Sequence, residues 1–439
     1  MRADFGMMGP MVHHPNGASA GPGDPAPRPA LTLVLLSVAH AVIHAQGVLL
    51  PLVYLRIITE FGVGVDTIAY LAAFGSVATG TIQLAYAKLT RVTARRRLLA
   101  AGSFVVGAGF AAQALAPTFA AFALTSIVAR LGGSPQHPVG NALLAEQFPE
   151  RRRGFAISAH ITGGNVGTVV VALAGAWAIS TFDWRGAVVL FGLPGVLVAL
   201  AILGFVRESG EDRAAAVAEG SVRSALGAVA RDRDHRWIFL ASIIGGGGRG
   251  LGVVNLFALV YLTAVLGVEQ GTADLMYGVF IALSVPAPLV AGWLSDRFGR
   301  KPLIVGVYLG GAVGFVAFLL VGSGLVGLWV GILVMGAFSF AESPQLQALL
   351  ADIAPPRLRD ASFALYFTLS FGVGSLWTAV YGAVIQVAGN AAGLPIVFGL
   401  MAASYVAAAL AILPVRAGGR PGPMAAQRSH EIPEIGLVD

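Results

Sequence analysis

The chain of 439 residues contains no cysteine, and charged residues make up only 11% of it. Without cysteine the protein forms no disulfide bond and offers neither a thiolate metal ligand nor a thiol nucleophile. Soluble domains carry roughly 25% charged residues, so this chain has too few charges to solvate a large soluble enzyme. Apolar and aromatic residues reach 56% and indicate a helical integral membrane protein.

Sequence motifs for nucleotide chemistry are also missing. The chain has no Walker-type phosphate loop, no Rossmann glycine pattern and no metalloprotease motif. ATP-driven transport and redox chemistry therefore have no support, and we expect a protein that is not an enzyme and uses no cofactor. A membrane receptor or membrane enzyme is a remote alternative, which would need a soluble domain or a catalytic cluster that the sequence does not contain.

Long apolar runs divide the chain into segments that can cross a membrane. A bilayer core about 30 Å thick needs about 20 helical residues, and twelve such runs lie between charged or Pro/Gly-rich connections. The fourth is the least regular, because Pro135 and Pro138 fall inside it. We expect spans at 31–55, 66–87, 98–116, 118–145, 154–179, 185–206, 237–265, 273–295, 302–322, 325–350, 361–387 and 391–415.

Six spans, a polar connection and six more spans predict an all-α, two-halved bundle. Such halves usually meet around a binding site at the membrane midplane. The connection balances six arginines against six acids, which favours a solvated, partly helical tether over a lipid-binding patch. The predicted parts are a disordered tail at 1–30, halves at 31–206 and 237–415, a linker at 207–236, and a second tail at 416–439.

Basic residues cluster in alternate connections, and the net charge is +6. They follow spans two, four, six, eight and ten, whereas the other connections hold almost none beyond Arg56 and Arg185. Because Lys and Arg are retained on the cytoplasmic side, both termini are expected in the cytoplasm of a bacterium, with the chain in its inner membrane. The expected partners are a small-molecule substrate, protons and the lipid bilayer, with no nucleic acid, and we expect a monomer.

The connection between spans eight and nine reads Gly292-Trp-Leu-Ser-Asp296-Arg297-Phe-Gly299-Arg300-Lys301. It resembles the signature loop of the major facilitator superfamily, Gly-x-x-x-Asp-Arg-x-Gly-Arg-Lys/Arg, at every fixed position. The resemblance implies a secondary transporter with twelve helices that works by alternating access. It also implies a gating loop, in which Asp296 meets the positive N-terminal end of span eleven near residue 361. Tyr86 and Thr90 replace the Gly and Asp in the first half, so we expect the gate to rest on the second half.

Shorter motifs in the first half resemble the fosmidomycin-resistance group of drug exporters. They are Ala39-His40, His137-Pro138 and the run from Gly163 to Gly167 that contains Asn165. The resemblance implies proton-coupled efflux of a drug-like compound or metabolite. His44 stands where that group has an acid, and Val171-Ala172 replaces the Gly-Pro pair of proton-driven antiporters. Proton-coupled uptake of a small organic anion is therefore the alternative.

Ionisable side chains inside spans are costly and are candidates for function. Arg130, Ser134, His137 and Asn141 fall at i, i+4, i+7 and i+11 of span four, which predicts one stripe facing the central cavity. Arg130 lies where many superfamily members have a buried arginine implicated in proton coupling. An arginine that only stabilises helix packing is the alternative.

Four of the eight histidines fall in the membrane region of the first half: His40, His44, His137 and His160. A histidine changes charge near neutral pH, which suits proton coupling or an anionic partner. We expect these residues to line the cavity or to pack between helices. We predict no metal site, because no Cys, Asp or Glu accompanies them within a span.

The second half offers Arg249, in a glycine-rich part of span seven, and Glu342 in span ten. Glu342 is the one carboxylate near the middle of a span. It either neutralises an arginine permanently or carries the transported proton, and the sequence leaves both open. We predict that Glu342 exchanges the proton with Arg130 as its competing partner, and that His44 is the reserve proton site.

Overall fold

The computed structural model describes residues 26–322, 324–374 and 376–416, and these ranges contain helices and turns but no strand. Within these ranges eight helices are long and apolar enough to cross a membrane, and nine if Arg233–Gly248 and Gly250–Val265 count as one bent span. The predicted tails lie mostly outside the described residues, although the first helix begins at Pro29, inside the predicted 1–30 tail. The all-helical, multi-pass prediction is confirmed.

Two of these helices are too long for a single crossing. Glu150–Phe205 has 56 residues and would extend for about 84 Å if straight. It is interrupted at Asp183, where φ is 56° and ψ is 176°. Both of its ends lie at the same end of the bundle, because Gln147, just before its first residue, donates to the carbonyl of Arg207, just after its last, at 2.7 Å. The chain therefore reverses at Asp183 and crosses twice.

Leu376–Ile412 is interrupted in the same way at Gly389, where φ is 75° and ψ is 169°. Divided at these two residues, and with helices on either side of a short break joined, the helices form the twelve predicted spans. In chain order the spans are Pro29–Phe61; Val65–Ile82 with Gln83–Ala85 and Tyr86–Val92; Arg95–Ala112 with Gln113–Leu115; Phe119–Gly133 with Pro138–Gln147; the two parts of Glu150–Phe205; Arg233–Gly245 with Gly246–Gly248, Gly250–Val254, Asn255–Val260 and Tyr261–Val265; Gln270–Ala282 with Pro286–Phe298; Arg300–Leu320; Leu325–Ile353; Arg359–Gly372 with the first part of Leu376–Ile412; and the second part of that helix.

Spans four and eight are broken at their centres. The helix of span four ends at Gly133 and restarts at Pro138, and span eight is interrupted between Ala282 and Pro286. Proline lacks the N–H that a helix interior needs but fits the first turn, which explains why both helices restart at a proline. The sequence predicted an irregular span four at 118–145, and the break at 134–137 is the form that this irregularity takes.

Span seven, predicted as one helix at 237–265, is bent by 53°. Its glycine-rich segment forms a tight 3-10 turn, Arg249 is extended with ψ at 129°, and Gly252 has a positive φ of 93°. Only glycine adopts such a φ without strain. The bend aims Arg249 away from the helix axis and toward span ten.

The apolar core of the first half is divided into two clusters, one around Leu49 and Phe122 and one around Leu99 and Leu143. Between them lies a layer of buried polar side chains from spans one, four and five. In the second half one large apolar cluster extends over most of the bundle, beside a small one of Ala291, Val307 and Ala341. Because buried polar groups need partners, the polar layer of the first half marks the region to search for a site.

The linker forms two short helices, Glu211–Ala218 and Val222–Arg231. Ser221 caps the second helix by accepting a hydrogen bond from the Ser224 N–H. Asp212 of the first helix is only 3% exposed and pairs with Arg95 and Arg359. This part of the linker is docked on the bundle and is not a solvated tether.

Candidate functional site

A cavity of about 250 Å³ lies within the polar layer of the first half. Spans one to four supply its walls, and Phe371 of span eleven closes it from the second half. Its polar lining includes the predicted site residues His40, His44, Arg130 and His137. No Asp or Glu occurs among the lining residues. The remaining polar side chains of the lining are Gln46, Gln83, Gln113, Gln136, Ser126, Ser134 and Thr79.

The four predicted histidines form one cluster although they come from three spans. The ring of His40 lies 4.6 Å from that of His44 and 4.7 Å from those of both His137 and His160, measured between centroids. His40 Nδ1 lies 2.9 Å from the backbone carbonyl of His160, and His44 Nδ1 lies 3.4 Å from Thr168 Oγ1. Only the contact between His40 and His44, one helical turn apart, follows from sequence spacing.

Span four does not present the predicted stripe of four residues. Arg130 and Ser134 line the cavity, and Ser134 is hydrogen-bonded to the Tyr86 hydroxyl at 2.6 Å. Asn141 is fully buried and donates to Gln347 Oε1 of span ten at 2.5 Å. The break at 134–137 rotates the second part of the helix, so Asn141 joins the two halves instead of facing the cavity.

Glu342 pairs with Arg249 and not with Arg130. The Arg249 Nε donates to Glu342 Oε1 at 2.7 Å, and the Tyr308 hydroxyl donates to Oε2 at 3.3 Å. Glu342 is 0% exposed. The bend in span seven brings Arg249 to this carboxylate, and the prediction that Arg130 is its partner is wrong. Among the described residues, Arg130 has no ion pair; its side chain packs over Gly75 of span two.

Asn165 and His160 of span five lie away from the cavity wall. Asn165 Nδ2 donates to the carbonyl of Ser284 at 2.7 Å, a carbonyl that the break in span eight leaves without a helical partner. His160 is fully buried with its Nε2 3.4 Å from the carbonyl of Gln136. Asn165 therefore connects the halves, and His160 supports His40.

Arg95, Arg153, Arg300 and Arg359 all lie at one end of the bundle, which we call the basic end. The signature loop, residues 292–301, contacts the first two turns of span five there. Asp296 accepts hydrogen bonds from the N–H groups of Gly154 at 3.0 Å and Phe155 at 2.8 Å. The prediction of a contact with span eleven near residue 361 is thus wrong, although the partner is again the N-terminus of a helix in the other half.

The remaining residues of the signature loop have identifiable contacts. Gly292 lies against span five, where an added Cβ would lie 2.7 Å from the Gly154 carbonyl, and Gly299 has a φ of 100°. Arg297 lies over the ring of Trp293 at 5.7 Å. Lys301 Nζ donates to the carbonyls of Leu413 and Val415 at the end of span twelve.

Arg300, the first residue of span nine, connects the signature loop to span ten. It pairs with Asp296 at 2.5 Å and with Asp352 at 2.8 Å. Arg153 of span five reaches the other oxygen of Asp352 at 3.2 Å. The loop therefore ties the second half to the first through two acids and two arginines.

The first-half loop, residues 86–95, also joins the halves, so the expectation that the gate rests on the second half alone is wrong. Arg95 makes a bidentate ion pair with Asp360 at the start of span eleven, with both distances 2.9 Å. It also pairs with Glu146 of span four and with Asp212 of the linker. Each partner carboxylate is almost completely buried.

Sequence reasoning missed these carboxylates. Glu146 and Asp352 stand at the ends of spans four and ten, which occupy the same position in their halves, and each accepts from the first arginine of a span in its own half. This repeat could have been recognised in the sequence. The pairing of Asp360 with Arg95 could not, because the two residues are 265 positions apart.

At the opposite end, ion pairs between described residues stay within the first half. Arg185 pairs with Glu60 at 2.6 Å, and Arg56 pairs with Asp183 at 3.3 Å. Salt bridges between the halves, such as those of Arg95 and Arg153, lie at the basic end. Among the described residues, salt bridges thus tie the halves together only at the basic end, as in a conformation closed on that side.

A sequence model of the Major Facilitator Superfamily matches residues 35–379 and, overlapping, 238–432. The chain belongs to this superfamily. A probable transporter of Streptomyces coelicolor is 30% identical over 82% of this chain and 83% of its own length. A chloramphenicol resistance protein of Streptomyces lividans is 27% identical over 79% of this chain and 86% of its own length.

Solved structures agree on the fold. The superfamily transporter FucP in the outward conformation superimposes with a TM-score of 0.72 over 87% of this chain and 97% of that one, at 17% identity. With the family shown, this superfamily member is a membrane transporter of small molecules and not an enzyme.

Proposed function

We propose that this transporter is a proton-coupled exporter of a small drug-like compound or metabolite across the bacterial inner membrane. In this proposal the basic end and both termini face the cytoplasm, as the distribution of Lys and Arg favours. The proposed proton coupling rests on one observation, the buried ion pair between Glu342 and Arg249.

An acid in the membrane interior is stable as an ion only while a cation compensates it. Glu342 has that cation in Arg249, with Tyr308 as a second donor. Binding of a proton to Glu342 would remove the attraction and release Arg249, whose side chain is partly exposed at 16%. Arginine itself keeps its charge, so Glu342 is the group of this pair that binds the proton. Protonation and release of the pair thus form one switch.

The cavity supports a small substrate. Its 250 Å³ lies slightly below the range of about 300–1,000 Å³ that is usual for drug-sized ligands. Ile43, Leu50, Phe110 and Phe371 supply apolar contacts, and the amide and hydroxyl groups can orient a polar substituent. A compact, partly apolar molecule matches this lining.

Two resemblances of this chain to other transporters favour efflux. The relative from Streptomyces lividans carries a drug-resistance name, and the His137-Pro138 and Gly163 to Gly167 motifs resemble those of the fosmidomycin-resistance exporters. The closed basic end and the cavity that lies beyond it suit release of a substrate away from the cytoplasm in an alternating-access cycle.

Uptake of a small organic anion is the second candidate. The observation that favours it is Arg130, which lines a cavity with no carboxylate in its walls. Arg249, the other arginine inside a span that could attract an anion, is compensated by Glu342. The anion hypothesis therefore rests on Arg130 alone.

The test uses full-length protein in proteoliposomes with a pH-sensitive dye inside, and chloramphenicol and fosmidomycin as first probes. Substrate addition should drive proton movement in the wild type, and Glu342→Gln should abolish it. Glu211→Gln, on the exposed linker surface, is the matched control and should behave as wild type. Wild-type transport that ignores a pH gradient would refute proton coupling. In cells, a deletion that lowers accumulation of the substrate would establish uptake.

A further inference from the structure

The histidine cluster lacks the acids that usually signal a metal site, and sequence spacing alone argued against one. The structure changes this, because the turn at 134–137 brings His137 of span four to the two histidines of span one. Each of the three side chains His40, His44 and His137 offers one ring nitrogen, and these three nitrogens lie within 4.8 Å of one another. We propose that these three side chains bind a divalent transition-metal ion, with coordination positions left open toward the cavity.

Hydrogen bonds already orient two of these ligands. His40 Nδ1 is held by the carbonyl of His160, which leaves Nε2 with a free lone pair. That Nε2 is buried and has no hydrogen-bond partner. Metal-binding histidines almost always donate their other ring N–H to a carbonyl or carboxylate. Thr168 Oγ1 plays the corresponding part for His44 Nδ1.

Gly164 of span five shows that the two Nε2 atoms converge. A Cβ at this position would lie 3.0 Å from His40 Nε2 and 3.0 Å from His44 Nε2. Both atoms therefore face the same small space, which exists because residue 164 has no side chain. His137 contributes a third buried nitrogen without a partner, Nδ1.

The distances require a modest closure of the rings. Zinc binds histidine nitrogens at about 2.0–2.1 Å in tetrahedral geometry, which places the nitrogens about 3.3 Å apart. The side chains must draw together by roughly 1 to 1.5 Å from the observed arrangement. His44 and His137 border the cavity and have room for this rotation.

Charge points to the same class of ligand. Three protonated imidazoles at this spacing would repel one another, and the neutral form is the one that binds zinc, nickel, cobalt or copper. A divalent ion would retain both charges, since the three ligands are neutral and the one charged residue of the cavity lining, Arg130, is itself a cation. The open positions therefore suit an anionic group of a bound molecule.

Binding is tested on purified, tag-free, full-length protein in detergent by equilibrium dialysis with Zn²⁺ and with Co²⁺. We expect one ion per chain and a visible Co²⁺ spectrum of a four- or five-coordinate site with nitrogen ligands. His40→Gln, His44→Gln and His137→Gln should each weaken binding at least about tenfold, because even loss of an outer-sphere partner costs 10- to 100-fold. This assay requires no transport, so it stands apart from the test of efflux.

Two further variants keep the result interpretable. Gly164→Ala removes no ligand but places a methyl group against both Nε2 atoms, and it should also weaken binding at least about tenfold. The double variant His13→Gln and His14→Gln removes two histidines outside the described residues and should bind as wild type. A dissociation constant unchanged in the cluster variants, or binding lost in the tail variant, would overturn the proposal. Elution as a single species confirms that each variant is folded.

Discussion

The two loops at the basic end perform the same task with different residues. In the second half, Asp296 of the signature loop itself accepts from the N-terminus of span five. In the first half, Thr90 replaces that acid, and Asp360 of the facing span eleven pairs with Arg95 instead. The loop without the signature thus contributes the cation and receives its acids from elsewhere. A degenerate motif does not mean a missing contact.

The chemistry of the two contacts differs in strength. Asp296 binds backbone N–H groups at the positive end of a helix, an interaction worth typically 0.3–1 kcal/mol at an exposed site and up to about 2 kcal/mol when partly buried. Arg95 is a buried charge between three buried carboxylates. Removing one partner of a buried ion pair costs about 3–5 kcal/mol. The first-half loop should therefore hold the basic end closed more strongly.

The absence of cysteine allows a direct measurement of closure. Ala142 is fully buried and packs within the apolar cluster of the second half. Because the wild-type chain has no cysteine, Ala142→Cys provides one thiol that a maleimide can reach only when the basic end opens. The rate of labelling in this background compares the two loops on one scale.

The largest effect is expected for Arg95→Ala. This change leaves Glu146, Asp212 and Asp360 buried without their shared cation. It should shift the equilibrium toward the open form by roughly 3–5 kcal/mol and raise the labelling rate more than any other variant. Arg97→Ala, an exposed arginine two residues further along span three and outside this network, is the control. Equal labelling of the two variants would show that Arg95 does not hold the end closed.

Arg300→Ala should have the second largest effect. Asp352 retains Arg153, and Asp296 retains its two backbone donors, so neither acid loses every partner. We expect about half the free-energy change of Arg95→Ala, on the order of 2 kcal/mol. The labelling rates of Ala142→Cys in the Arg95→Ala and Arg300→Ala backgrounds give the ratio of the two free-energy changes. A larger effect for Arg300→Ala would reverse the ranking of the two loops.

Much of the fold could be predicted from the sequence, because a lipid-facing segment must satisfy its own backbone hydrogen bonds. Twelve apolar runs therefore became twelve spans. The breaks within them were harder to predict. Pro135 and Pro138 indicated an irregular span four, but not that Asn141 would rotate out of the cavity toward Gln347.

The candidate site was predictable only where its residues lie close in the chain. His40 and His44 are one helical turn apart, and their contact follows from that spacing. The approach of His137 depends on the turn at 134–137. Arg249 reaches Glu342 because span seven bends by 53°. The glycine content of the span indicates that it can bend but not the direction of the bend. Pairs such as these are set by tertiary packing, which one sequence does not record.

Asp360→Asn sharpens the comparison of the two acids. The change keeps the shape of the side chain but removes one charge from its bidentate contact with Arg95. Arg95 keeps Glu146 and Asp212, so the expected shift is about 1–2 kcal/mol, that of a charged hydrogen bond replaced by a neutral one. It should increase the labelling of Ala142→Cys by about tenfold. If labelling equalled that of Ala142→Cys alone, Asp212 of the linker, and not Asp360, would be the acid that holds Arg95 in the closed form.

The smallest effect is expected for Asp296→Asn, the equivalent change in the signature loop. An asparagine oxygen can still accept from one of the two N–H groups of span five, and asparagine is a good helix cap. The pair with Arg300 lies within the second half, so its loss affects the closed and open forms alike. The loss from closure is then limited to the charge at the helix terminus, about 0.5–1 kcal/mol. Labelling should rise less than fivefold, and transport should slow with normal membrane insertion. Asp274→Asn, exposed near the start of span eight, is the matched control. If Asp296→Asn opened the basic end more than Asp360→Asn, the intact motif would be the stronger of the two gates, and the contrast drawn from the buried network around Arg95 would be wrong.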